Sequence, residues 1–126
     1  MFILYDFTFI IFSIIYLPYL FIRNKYHSRF KERFGILPKD VSRLRERPVW
    51  IHVVSVGETM TARPVIEFFH RRWPQIPLVI STITQTGNKV AEGFAGEKDV
   101  VIYFPLDLNF ITQKVLKQIN PRLIIT

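Results

Sequence analysis

The sequence predicts an α/β fold built on a parallel sheet, with an apolar helix in front of it. Three observations carry this expectation. From residue 48 onward, short β-branched runs alternate with stretches of helical periodicity. The strand runs are apolar throughout, not at every second position, which is the pattern of a sheet covered on both faces. The first 22 residues hold a single charge, Asp6.

Composition bounds the possibilities. A chain of 126 residues and 15.0 kDa is about one domain's worth. Apolar residues at 49% and charged residues at 21% exclude a disordered tail. The chain has no cysteine, which excludes disulfide scaffolds and cysteine-ligated zinc or iron–sulfur sites. Seventeen Lys and Arg against ten Asp and Glu leave a net charge of +7, pointing to an anionic partner: phosphate, a membrane surface or nucleic acid. The charge is local. Residues 1–22 carry −1, residues 23–47 carry +6 and residues 48–126 carry +2.

Residues 1–22 are expected to form a membrane-anchor helix. Phe7 to Ile22 is apolar on all sides and would span roughly 24 Å as a helix, short of the roughly 30 Å hydrocarbon core. Including Met1 to Asp6 lengthens it at the expense of burying or snorkelling Asp6, and Pro18 would kink it near its end. The run is either a tilted, kinked span or a deep monotopic anchor, with the latter preferred. A buried core helix is the alternative. No basic residue precedes the apolar stretch and no small-residue cleavage site follows, which disfavours a secretory signal.

Residues 23–47 are expected to be a basic juxtamembrane helix and connector. Arg29, Lys31 and Arg33 form a belt suited to anionic head groups or a substrate phosphate, and they place the remainder on the cytoplasmic side. Tyr26, Phe30 and Phe34, spaced four apart, predict three rings on one helical face, with Gly35 closing the helix. Ile36 to Pro48 has the look of a connector.

Residues 48–126 supply the sheet. Val49–Val54 is the first strand and Glu58–Trp73 the first helix, with Pro64 in its early turns or kinking it. Leu78–Ile83 is the second strand and Gln85–Phe94 a short helix. Val100–Phe104 is the third strand. Asp107 to Ile119 is a helix with Asp107 as its candidate N-cap, and Arg122 begins a fourth strand. Right-handed crossovers turn this order into a Rossmann-like half. Because the sequence stops within that fourth strand, the domain is expected to be incomplete.

Ligands of such sheets bind at the carboxyl ends of the strands, over the loops that enter helices. The first loop is Ser55-Val56-Gly57-Glu58. Gly57 there allows a tight turn or a close substrate, and Glu58 is either a partner of the helix dipole or a general base aimed at a hydroxyl. The second is Thr84-Gln85-Thr86-Gly87-Asn88. Thr84, Thr86 and Gly87 are either an N-cap and turn cluster or a cradle for phosphate or sugar. The third is Pro105-Leu106-Asp107. No nucleotide-binding glycine pattern occurs. His27, His52 and His70 lack metal-ligand spacing; His52, within a strand, reads as a hydrogen-bonded core residue and not a catalyst, and His70 as part of a solvated basic face with Arg71 and Arg72. No metal site is expected, and no nucleic-acid recognition motif supports the third class of anionic partner.

These residues carry a resemblance. Arg29-Phe30-Lys31-Glu32-Arg33-Phe34-Gly35 is followed by Trp50-Ile51-His52-Val53-Val54-Ser55-Val56-Gly57-Glu58. Then come Ser81-Thr82-Ile83-Thr84-Gln85-Thr86-Gly87 and Phe104-Pro105-Leu106-Asp107. In this order, behind an apolar anchor, they resemble the N-terminal half of the 3-deoxy-D-manno-octulosonic acid (Kdo) transferases, lipopolysaccharide enzymes of two-domain GT-B fold. Asn88 departs from the resemblance, which leads to an expectation of a larger or basic residue there.

The resemblance implies an inverting, metal-independent and cofactor-free glycosyltransferase. It moves Kdo from CMP-Kdo to the lipid A precursor at the cytoplasmic face of the bacterial inner membrane. It implies an acceptor role for residues 48–126, with Glu58 as general base and Ser55, Gly57, Thr84, Thr86 and Gly87 around the substrate. CMP-Kdo would be held by a C-terminal donor domain absent from this sequence, so the chain alone is expected to be inactive. The alternative is a non-catalytic, membrane-associated α/β module that binds anionic lipid or a partner.

Overall fold

The computed structural model describes residues 2–22 and 29–126, with side chains for 5–16 and 29–126. Tyr26 and His27, and with them the expected three-ring face, lie outside the described residues. The chain divides into two compact units, residues 1–30 and residues 31–126.

The first unit contains helix α1 (Phe2–Ile22). Apart from Asp6, Thr8 and Ser13, its described side chains are apolar or aromatic, and Phe7, Ile10, Phe12, Ile14 and Ile15 are exposed. Rings four residues apart stack along it, Tyr5 on Phe9 and Phe12 on Tyr16, as helical spacing requires. Among the described residues no helix is long and apolar enough to cross a membrane.

The second unit is an α/β sandwich. Strands β1 (Val49–Val53), β2 (Leu78–Thr82), β3 (Val100–Tyr103) and β4 (Leu123–Ile125) form one sheet in the order β3-β2-β1-β4. Every pairing is parallel. Helices α3 (Val56–Arg72), α4 (Gln85–Phe94) and α5 (Asn109–Ile119) make the three crossovers. The first two crossovers step outward to β2 and β3; the third returns past β1 to β4. The direction of winding therefore reverses between β1 and β4, and the loop leaving β1 stands at that switch point.

Alternation along the strands splits the core in two. Val49, Ile51, Val53, Leu78, Ile80 and Val101 pack with Ile66 and Phe69 of α3 and Ala91 of α4. Trp50, Val79, Val100 and Ile102 pack with Ile111, Val115 and Ile119 of α5. Both faces are covered by packed side chains, which is why the strands are mostly apolar, with His52, Ser81 and Thr82 as the polar exceptions near their carboxyl ends. Val41, in the short helix α2 (Lys39–Ser42), is buried in the second layer, with Leu37 and Leu44 against it. The stretch 31–47 thus belongs to the same unit as the sheet.

Several local expectations change. Phe30–Phe34 is a single 3-10 helix, closed by Gly35 at φ +75, where a side chain would be strained. Pro64 lies deep inside α3, where its missing N–H leaves the Met60 carbonyl without a helical donor. Asp107 does not cap α5. The helix starts at Asn109, the cap position falls on Leu108, and no side-chain cap forms. The amide of Leu108 instead bonds Leu106 O at 2.7 Å, and Leu108 turns toward the α5-side core.

Candidate active site

The loop after β1 closes on itself before it offers anything to a ligand. Ser55 is the N-cap of α3, and its Oγ accepts from the Glu58 amide at 3.4 Å. Glu58 answers: its Oε2 accepts from the Val54 amide at 2.8 Å. Serine and glutamate three residues apart, each bonded to the other's end of the turn, form a variant of the capping box shifted by one residue. Glu58 nevertheless remains exposed. One carboxylate oxygen is fixed by the backbone, and a carboxylate has lone pairs to spare. Its placement is therefore both capped and open. Gly57 has no positive φ, and a Cβ there would meet only Ser55 Oγ, at 3.8 Å. The turn does not require glycine; the space above Gly57 is open.

The loop after β2 repeats the pattern. Thr84 caps α4, its Oγ1 accepting from the Gly87 amide at 3.0 Å. Gly87 is buried, and a Cβ on it would lie 2.8 Å from Thr84 Oγ1, 3.6 Å from the Ser55 carbonyl carbon and 3.7 Å from Thr59 Oγ1. The glycine therefore permits the two helix starts to pack side by side. Buried Thr59 completes the junction, donating through Oγ1 to Ser55 O at 2.8 Å. Ser55, Thr84 and Gly87 are brought together; Thr86 is exposed on the first turn of α4. Two helix N-termini thus stand abreast at the carboxyl edge of the sheet, next to one exposed carboxylate. Asn88 is buried, its Nδ2 donating to Ile102 O at 3.3 Å, which ties α4 to β3.

The basic segment divides. Lys31 is exposed. Arg33 is half-buried: its guanidinium donates to Ile83 O and lies over the Tyr103 ring at 5.5 Å, while its Nε is buried without a hydrogen-bond partner. Burial pulls the Arg33 pKa below its ordinary value, against an opposing effect of Tyr103. Its neighbour Glu32 is buried, with Oε2 accepting from the Tyr103 amide at 2.8 Å, and Arg33 O accepts from the Leu106 amide at 2.8 Å. Residues 32–33 are therefore clamped to the carboxyl ends of β2 and β3. Among the described residues no group of three or more His, Cys, Asp or Glu side chains converges to hold a metal ion.

The family model described as 3-deoxy-D-manno-octulosonic-acid transferase (kdotransferase) matches residues 28–126. The chain belongs to this kdotransferase family. Similar proteins named 3-deoxy-D-manno-octulosonic acid transferase occur in Haemophilus influenzae, 29% identical over 101 residues covering 80% of this chain and 23% of the relative. The Chlamydophila psittaci relative is 32% identical over 107 residues, covering 83% and 24%. The Chlamydia pneumoniae relative is 30% identical over 127 residues, covering 96% and 29%. The chain thus spans about a quarter of the length of these curated relatives. No solved structure matches it.

Two features of this kdotransferase-family chain escaped sequence reasoning. Glu32 is one; nothing local announces a buried carboxylate whose partner is 71 residues away. The other is His70, expected on a solvated face. Its Nε2 lies 2.6 Å from Asp99 Oδ2, and Asp99 is buried and also accepts from the Leu78 and Gly96 amides at 2.9 and 2.7 Å. This pair stands where β2 begins, at the edge opposite the Glu58 loop. His52 is hydrogen-bonded as expected, but it is only partly buried and not a core residue. Its Nδ1 lies 3.0 Å from Ser81 Oγ, and its ring stacks on Phe104 at 3.9 Å. Burial lowers the His52 pKa, opposed by the nearby Ser81 carbonyl and by the charge of Glu58.

Proposed function

We propose that this chain is the acceptor-binding part of an enzyme that transfers Kdo from CMP-Kdo to the lipid A precursor (lipid IVA) in lipopolysaccharide biosynthesis. The observation that carries the reading is an exposed carboxylate, Glu58, fixed by the Val54 amide at the switch point of a kdotransferase-family sheet.

A sugar hydroxyl is a weak nucleophile until its proton is removed during attack. In the proposed step Glu58 takes that proton, the hydroxyl oxygen bonds the anomeric carbon of Kdo with inversion, and CMP leaves with the bonding pair. No metal or other cofactor is invoked. Ser55, Thr84 and Gly87 hold the two helix starts in register. Their dipoles, with Thr86 and the open space over Gly57, favour a phosphorylated sugar. Arg29 and Lys31 add positive charge toward that phosphate or the membrane, while Arg33 is held on Ile83 O and the Tyr103 ring. Residues 1–22 anchor the protein at the cytoplasmic face of the inner membrane, supported by the exposed apolar side chains of α1. Residues 31–47 share one unit with the sheet of residues 48–126, and that unit is read as the acceptor domain.

The test is transfer of labelled Kdo from CMP-Kdo to lipid IVA by the full-length enzyme containing this segment. Kdo-modified lipid is the expected product. Donor turnover without modification of lipid IVA would reject the acceptor assignment.

A further inference from the structure

Ser81 stands at the centre of a short polar chain on the α5 face of the sheet. The indole N–H of Trp50 donates to Ser81 Oγ at 2.8 Å, and the same Oγ lies 3.0 Å from His52 Nδ1. Ser81 is fully buried. Its hydroxyl can accept from Trp50 through a lone pair, but it also has one hydrogen of its own to place. A buried hydroxyl hydrogen without an acceptor is unfavourable, and His52 Nδ1 is the acceptor within reach. The competing arrangement has Nδ1–H donating to Ser81 O at 3.3 Å. That bond is longer, and it leaves the hydroxyl hydrogen unspent. Satisfying every group therefore makes Nδ1 an acceptor, and in a neutral imidazole the hydrogen must then sit on Nε2. Phe104, stacked on the ring, fixes its plane. Nε2 has no partner among the described residues, and His52 is only partly buried, two residues before the Val54 amide that grips Glu58.

We infer that His52 is locked as the Nε2–H tautomer and presents that N–H, as a neutral hydrogen-bond donor, to an oxygen of the acceptor sugar bound at the Glu58 loop. The ligand half of this inference rests on the acceptor assignment above; the tautomer half does not. His52 is then a substrate-binding residue and not a second base. The lowered pKa agrees, because it keeps the ring neutral at neutral pH.

Long-range proton–nitrogen NMR of the 126-residue chain in detergent micelles reads the tautomer directly, with His52→Gln assigning the signals. The expected pattern is a pyrrole-type Nε2 and a pyridine-type Nδ1. A pyrrole-type Nδ1, or an even mixture of both forms, overturns the inference. Kinetics in the full-length enzyme read the ligand contact. His52→Leu removes the donor and should raise the acceptor KM about threefold to tenfold with kcat nearly unchanged, the size of one neutral hydrogen bond. His52→Gln, whose amide reaches the Nε2 position, should restore most of it. Equal losses in both variants, a loss confined to kcat, or no loss in His52→Leu would overturn the contact even with the tautomer in place.

Discussion

The carboxylate of Glu58 accepts a 2.8 Å hydrogen bond from the amide of Val54, four residues earlier. Oε2 ends the strand and starts the helix, while the rest of the carboxylate stays exposed. Glu58→Gln keeps an acceptor oxygen for Val54; Glu58→Ala does not. Thermal or urea denaturation should show Glu58→Gln within a few tenths of a kcal/mol of wild type and Glu58→Ala destabilised by about 1 kcal/mol, a typical cap. Equal stabilities for the two variants would contradict a capping role.

Gly87→Ala should lose the α4 cap. The new methyl would lie 2.8 Å from Thr84 Oγ1, so the threonine must rotate away from the Gly87 amide. A loss of about 0.5–2 kcal/mol is expected in denaturant titration. Thr84→Ala should cost a similar amount. The double variant should cost less than their sum, because both remove the same contact.

Acidification should weaken the fold through His52. Burial lowers its folded-state pKa, so the unfolded chain binds the proton more readily. This contribution is intact above about pH 6.5. It is lost as pH falls from there through the window down to the depressed folded value. The difference in urea midpoint between wild type and His52→Gln should therefore shrink between pH 7.5 and pH 5.5. A difference constant with pH would place the titration elsewhere.

Lys31 and Arg33 should separate under mutation, although they are two residues apart. Lys31 is exposed, so Lys31→Gln should leave stability unchanged and reduce binding to phosphatidylglycerol vesicles about fivefold, at about 1 kcal/mol per charge near an anionic surface. Arg33 is clamped to Ile83 O and the Tyr103 ring, so Arg33→Ala should lower the melting temperature. Similar effects of the two substitutions on both measurements would deny that division.

Asp99→Asn should destabilise the fold by about 1–3 kcal/mol in urea titration. The buried carboxylate serves His70 and two backbone amides, and an amide side chain turns one of its acceptors into a donor. Unchanged stability would mean that these contacts carry no net weight.

The order of strands and helices was legible in the sequence because both faces of the sheet are covered. That leaves mainly apolar, β-branched runs such as Val49–Val53 and Leu78–Thr82 between helical stretches. The capping box is also written there, as Ser55 and Glu58 at the spacing of one helical turn, although the spacing alone does not reveal that the carboxylate grips the Val54 amide. The misses share a physical cause. His70 meets Asp99 across 29 residues, Arg33 meets Ile83 across 50, and Glu32 meets Tyr103 across 71. Such contacts are set by the crossovers and leave no local pattern. Asp107 does not cap the helix because Leu108, packed against the α5-side core, takes the cap position one residue later.

The most direct test of the central claim is turnover of the full-length enzyme bearing Glu58→Gln, with circular dichroism to verify the fold. Because glutamine can keep the Val54 bond, the folded structure should persist while Kdo transfer falls by about 10²–10⁴, the usual contribution of a general base. Turnover at the wild-type rate in the folded variant would remove Glu58 from the chemistry and leave it only the helix cap.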